Sequence, residues 1–308
     1  MSTATAARES SQESARSRAP KFLQGWNLAA LIFIGPAILL LAAFMIYPAI
    51  RTIMLSFEEG LGNYVQLLTR DPRFITFRLP PGGSLFNNIL WLIFYTGGCI
   101  VVGLIVAVMA TRVRYERVIK AIVFLPMAIA ATALGVIWRF VYSPDPDTGM
   151  LNAILGVVGV NPISWLGQAS FVNTALIIAG IWGSAGFAVV ILSAALKGIS
   201  SEILEAARVD GASEAAIFRR IIVPMLSLPI SVIAVTLTIN VVKLFDLVYI
   251  MTEGGPGNAS NVIAVQMYQQ FSARNFDYSA TVAVVMLIIL IPVMVFNIRR
   301  FRSERVIA

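Results

Sequence analysis

Between two long apolar segments, the stretch Glu205-Ala206-Ala207-Arg208-Val209-Asp210-Gly211, nine further residues and then Ile221-Ile222-Val223-Pro224 concentrates charge and small apolar side chains. Such a pattern suits contact chemistry rather than bond-making, and it predicts two short helices meeting at a turn. Ser200 or Ser201 caps the first helix, and Glu202 sits in its first turn, where the helix dipole favours an anion. Glu205 and Arg208 are three apart on one face and can pair. Gly211 is the natural left-handed C-terminal residue. Ser213 and Glu214 restart the helix, Arg219 and Arg220 put positive charge at its C-terminal end, and Pro224 stops it. Ile203, Ala206, Ala207, Ile217, Phe218 and Ile221 form an apolar face with no core of its own to enter. That makes the pair a docking surface.

Other chemistry is thin. The chain contains no His, which removes histidine zinc sites, Ser-His-Asp triads and imidazole proton relays. No Gly-x4-Gly-Lys-Ser/Thr phosphate loop exists, so the chain is not its own ATPase by that route, and energy must come from a partner. Asp145 and Asp147 alternate with Pro144 and Pro146, which signals a turn rather than an acid-base or metal site. The single Cys99 excludes an intrachain disulfide and leaves the redox compartment open. Lys243 and Asp246 are the only charges inside an apolar run and away from its ends. Three apart on one helical face, they can pair. Insertion of either alone costs at least about 2.5 kcal/mol, so they read as a polar wall of a path through the membrane. The alternatives are a structural pair that fixes helix packing and a Lys243 that snorkels to the interface. Trp182 has Gly183, Ser184 and Gly186 beside it. An aromatic face stacks on the C–H face of a sugar ring, and small neighbours leave room for one, although a lone Trp in an apolar run also serves helix or lipid packing.

The elements that must position these residues follow from composition. The 308 residues are 58% hydrophobic and 13% charged, with a mean hydropathy of +0.83. A membrane helix needs about 20 apolar residues, and six runs qualify, at about 28–50, 86–110, 118–142, 171–196, 226–251 and 279–298. A closed barrel would show alternation instead. Pro36 and Pro48 should bend or end the first run. Residues 1–25 are a polar, disordered tail, the segment Arg51–Leu85 an external loop rather than a domain, 197–225 the loop described above, and 303–308 a short C-terminal end. The net charge of +7 hints at nucleic acid only until the basic residues are located. Sixteen lie in the tail, the second and fourth connections and the C-terminus, against six on the opposite side. By the positive-inside rule, both termini are cytoplasmic.

The pattern Glu205-Ala206-Ala207, three residues, Gly211, nine residues, Ile221-x-Val223-Pro224 resembles the signature loop of ATP-binding-cassette importer permeases, with Val223 where Leu is usual. Further pieces resemble the carbohydrate-uptake branch, of the maltose, glycerol-3-phosphate and α-glucoside kind. They are Gly35-Pro36-Ala37, Tyr47-Pro48 and Gly62-Asn63-Tyr64, then Phe124-Leu125-Pro126 with Trp138, and Lys243-Leu244-Phe245-Asp246 running on to Gly254-Gly255-Pro256. The resemblance spans nearly all of 30–300.

It implies an all-α membrane protein of the type I importer-permease fold, with six transmembrane helices and no cofactor of its own. ATP and Mg would be held by a partner. It implies that Glu205, Ala206, Ala207, Asp210, Gly211, Ile221 and Pro224 form a coupling helix that inserts into a separate ATPase. Trp182 stands where maltose-type permeases have a sugar-contacting Trp, and Ser184 and Phe187 fall at further contact positions, Phe187 replacing a Tyr. Asn240, Val241 and Leu244 occupy contact positions in the fifth run, with Asn240 replacing an aromatic. The implied partners are a second homologous permease, an ATPase dimer, an extracytoplasmic solute-binding protein and membrane lipid, with no nucleic acid. The rival readings are an importer permease for glycerol phosphate, a polyamine or another non-sugar solute, a gradient-driven secondary transporter, and a receptor platform without a pore.

Overall fold

Inside a bilayer every backbone N–H and C=O must be satisfied by the chain itself, which leaves long apolar runs one option, the helix. The computed structural model describes the backbone of residues 28–76, 82–111 and 113–304, and side chains within 33–295 apart from 77–81, 112, 293 and 294. The tail at 1–25, Pro80, Pro81, residues 305–308 and the side chains of Arg299, Arg300, Arg302 and Arg305 lie outside them. Among the described residues the only β feature is an isolated bridge between Thr76 and Gly82, and the rest of the regular structure is helical.

The chain divides into two units after Met54. The first holds most of helix α1, which runs through Leu28–Leu41, a π-helical turn at Ala42–Ile46 and Tyr47–Ser56. Its part Phe33–Ser56 is long and apolar enough to cross a membrane. Of the two outcomes expected, a bend or an end, neither Pro36 nor Pro48 ends it. The wider π turn lies immediately before Pro48 and takes up the clash of its ring with the carbonyl four residues back.

The second unit carries α2 (Gly62–Thr69), α3 (Ser84–Ala110), α4 (Glu116–Ala128, its last turn 3-10), α5 (Ala131–Val141), α6 (Met150–Val157), α7 (Val172–Lys197), α8 (Ser201–Val209), α9 (Glu214–Met225), α10 (Ser227–Val242), α11 (Asp246–Thr252), α12 (Ile263–Ser272) and α13 (Phe276–Glu304). Helices α3 and α7 meet the length and hydropathy of a span, while α4 and α5 do so only as a pair bent by 103°. In α13 the apolar part is Phe276–Pro292. The third and fifth expected spans are therefore not straight rods. Pro126 lacks the N–H that would continue α4, and Ile129 and Ala130 turn extended at the bend. The fifth run opens on a 64° bend at Leu226, two residues beyond Pro224, and breaks again at Lys243–Phe245, where Phe245 leaves helical geometry.

Helices α3 and α7 share the most extensive helix–helix contact in the unit. Small residues let the backbones approach, since lipid supplies no hydrophobic drive for association. A Cβ on Gly103 would sit 2.5 Å from that of Ala188, and one on Gly186 would sit 2.7 Å from the Val123 carbonyl at the end of α4. The core around this contact includes Trp91, Cys99, Leu176, Leu192, Leu237 and Val248. A second cluster joins Leu67 and Phe74 to Ile263, Tyr278, Val282 and Val285. The segment expected as an external loop is partly helical and has apolar anchors of its own. Asp71 reinforces it, accepting from Gln266 Nε2 at 2.8 Å and from Tyr278 OH at 2.7 Å.

Gly103→Ala forces this contact apart and should cost about 1–3 kcal/mol of stability. Gly97→Ala has nothing within 4 Å of the new methyl and should be neutral or stabilising. Thermal unfolding of the detergent-solubilised protein separates the two, and equal midpoints would refute the packing account.

Candidate functional site

Helices α3, α5, α7, α10 and α11, together with the bend between α4 and α5, enclose a cavity of about 230 Å³. Each element contributes a distinct surface. Trp91 and Tyr95 come from α3, Met127 and Ile129 from the bend, Ser184 from α7, Asn240 and Val241 from the end of α10, and Leu244 and Leu247 from the interruption and α11. The broken fifth span is what lets one run present both an amide and apolar side chains to the same space. Discontinuous helices of this kind characterise membrane binding sites, because irregular backbone is tolerated there only where it lines a cavity or is buried in protein. Tyr95 OH donates to Ser184 Oγ at 2.9 Å across the cavity.

Of the residues expected along a substrate path, Ser184 and Asn240 meet here. Trp182 does not line the cavity. Two residues from Ser184 on a helix is roughly the opposite face, and Trp182 is 42% exposed, packed edge-on against Trp138 at 5.7 Å. Phe187 packs against the core of the helical unit. Of the glycines expected to leave room for a ring, Gly183 lines the cavity beside Leu134, while Gly186 serves helix packing. Trp91 fills the space over Gly180, with its ring 2.8 Å from where a Cβ would lie, and Gly186 abuts α4.

Lys243 and Asp246 are both exposed, and no ion pair joins them among the described residues. The expected pairing assumed a continuous helix. Lys243 instead caps α10, its N–H bonding Ile239 O and Val241 O, while Asp246 begins α11 on the other side of the break. Trp91 and Tyr95, which the sequence reading passed over, were signalled by position. They lie three and seven residues beyond Asn88, which places all three on one face of α3.

The loop between α7 and α10 folds much as its sequence dictates. Ser200 Oγ accepts from Glu202 N at 3.2 Å and Ser213 Oγ from Ala216 N at 3.3 Å, capping α8 and α9. Gly211 adopts φ +80°, with nothing within 4 Å of a built Cβ. Arg208 does not pair with Glu205. Its Nε donates to Glu214 Oε1 at 2.8 Å, so the ion pair ties one helix to the next, and the carboxylate raises the guanidinium's pKa above its ordinary value. Glu205, Ala206 and Asp210 are exposed, Ala207 and Ile221 half-buried, and Pro224 exposed. Of the apolar face expected to lack a core, Ile217 is in fact buried at 1% exposure, while Val209, outside that set, is 87% exposed. At the base of the loop Lys197 Nζ lies 2.9 Å from Glu116 Oε1, and Glu116 also pairs with Lys120, joining the end of α7 to the start of α4.

Comparison with known proteins places this geometry. The osmoprotective compounds uptake permease protein of Synechocystis sp. is 43% identical over 285 residues, covering 89% of this chain and 99% of that protein. The alpha-glucoside transport system permease protein of Rhizobium meliloti is 36% identical, covering 89% and 82%. A chain of a bacterial ABC transporter involved in the import of the acidic polysaccharide alginate shares the fold, with a TM-score of 0.74 at 23% identity over 90% of this chain and 96% of its own. With residues 99–306 also matching its profile, the chain belongs to the family of binding-protein-dependent transport system inner membrane components.

Proposed function

We propose that this chain is a permease subunit of an ATP-driven, binding-protein-dependent importer and forms half of the translocation path for a sugar by alternating access. The observation that carries the reading is the cavity at the broken fifth span. It sets the hydroxyl of Ser184 and the amide of Asn240 beside the edges of two largely buried aromatic side chains, Trp91 and Tyr95, a mixed polar and apolar lining suited to a sugar. At about 230 Å³ it is smaller than the ~300–1,000 Å³ of a complete small-molecule pocket. That supports one wall of a site whose other wall is a second, homologous permease. Relatives named for osmoprotective compounds, alpha-glucosides and lactose support a carbohydrate or related glycoside as cargo.

In this reading both termini and the α8–α9 loop face the cytoplasm, where sixteen of the basic residues collect. The loop is the coupling element. An ATPase dimer that holds ATP and Mg receives Glu205, Ala206 and the exposed Val209 at its surface. Its closure is passed through α9 into the fifth span as rigid-body movement. A solute-binding protein delivers the sugar at the opposite end, near the α2 and α12 region, and lipid surrounds the spans. Lys243 and Asp246, exposed beside the break, are polar lining of the outer part of the path.

The test is uptake into proteoliposomes that contain the assembled transporter, its binding protein and a panel of mono- and disaccharides. Asn240→Trp fills the cavity and should abolish uptake of the transported sugar while the complex still assembles. Unchanged uptake would put the path elsewhere. Gly211→Asp strains a left-handed residue by about 1–2 kcal/mol and adds a charge to the loop. It should leave the protein in the membrane but remove ATP-dependent uptake, and normal uptake would end the coupling assignment.

A further inference from the structure

Asn87 and Asn88 open the second span in consecutive positions, and both are buried, at 3% and 7% exposure. An amide in an apolar setting is costly unless all its groups are used, and here each asparagine reaches across the fold. Asn88 Nδ2 donates to Val241 O at 2.9 Å, and Asn88 Oδ1 accepts from Ile263 N at 2.9 Å. The first partner lies in the last turn of α10 and the second is the first residue of α12. One side chain therefore adds a hydrogen bond to a carbonyl that already accepts from the capping backbone at one helix end, and satisfies a first-turn N–H, a group that a helix leaves unpaired, at the start of another. Asn87 Nδ2 donates to Ala259 O at 2.9 Å and Asn261 O at 2.7 Å, and its Oδ1 accepts from Asn173 Nδ2 on α7 at 3.1 Å.

The segment 242–262 between those anchors contains the interruption, α11 and a turn with left-handed Glu253, Gly254, Gly257 and Asn258. Packing of α11 against α5, with Ile250 and Met251 over Gly135, holds its middle. The two asparagines fix its ends and its exit. Within it lie Leu244 and Leu247, and at its edge Asn240 and Val241, four of the residues that line the cavity. Trp91 and Tyr95, on the face of α3 that carries Asn88, form the wall opposite. The register between the two walls therefore runs through the Asn88 amide.

The geometry points to Asn88 as a positioning residue for transport: it holds the interrupted fifth span and the 242–262 excursion in register with α3, so that the cavity moves as one body with the second span. Asn87 secures the same excursion to α7. This inference rests on the permease reading, and it concerns how the cavity is kept in shape rather than what the cavity binds.

The test uses the assembled transporter in proteoliposomes, with the loaded binding protein and the solute that the wild type moves. Three quantities are read: solute moved per ATP hydrolysed, the rate of ATP hydrolysis, and the KM for the loaded binding protein. Asn88→Leu removes both hydrogen bonds at similar volume and should lower solute moved per ATP by about tenfold, with the other two within about threefold. Asn88→Asp keeps the acceptor for Ile263 N but loses the donor toward Val241 O, and should give a smaller fall in the same ratio. It decides the question alone if Asn88→Leu does not assemble. An unchanged ratio in an assembled variant overturns the assignment. So does a fall in the rate of ATP hydrolysis with the ratio and the KM unchanged, which would mean only loss of folded complex. A wild type that drives a non-sugar solute would refute the sugar reading and leave this test intact. A wild type that drives none under ATP would overturn both.

Discussion

A chain that interrupts its helices inside an apolar slab must find hydrogen-bond partners for the loose ends within itself, because the surroundings offer none. That constraint explains why the polar residues buried in this bundle sit where they do. Asn87, Asn88 and Asn173 cluster around the broken fifth span and the turn that follows it. Asn152 does the same for a connection, bonding Ser143 O at 2.8 Å and both backbone groups of Ile163. Without these amides the breaks would be too costly to keep, and without the breaks no single run could present both an amide and apolar groups to the cavity.

The second dependence is on closeness. In lipid, association of spans relies on fitted contact rather than on expulsion of water, so the glycines of α3 and α7 decide how near the two helices come. Gly103 against Ala188 sets that distance, and Gly186 against the Val123 carbonyl sets how near α7 comes to α4. With Trp91 over Gly180, they also set the position of one cavity wall. Packing and site are therefore the same residues seen from two sides.

Much of this was legible before any coordinates. Apolar run length falls on three helices long and apolar enough to cross a membrane, and the capping serines and Gly211 of the α8–α9 loop sit where local chemistry put them, because caps and left-handed turns depend on neighbours in sequence. What local chemistry could not supply was any partner chosen at long range. Arg208 took Glu214 across the turn instead of Glu205 on its own helix. Lys243 and Asp246 were assigned one helical face on the premise of a continuous helix, and the break at Phe245 removed that premise. Trp182 matched a contact position, yet its two-residue offset from Ser184 turns it away from the cavity. The Asn88 bridge joins residues 153 and 175 positions apart, a distance over which no spacing rule reaches.

The α8–α9 loop has an uneven foundation. Its second helix is rooted, with Ile217 buried and the chain continuing directly into α10, and the preceding span is pinned at its foot by Lys197 and Glu116. Its first helix has no buried residue at all and holds to the second through Gly211, the Arg208–Glu214 pair and their caps. In mechanical terms the loop is a lever with a free arm and a fixed fulcrum. A load placed on α8 cannot be absorbed by a core of its own, so it is delivered at Ile217 and along α9 to the bend at Leu226 where the fifth span begins.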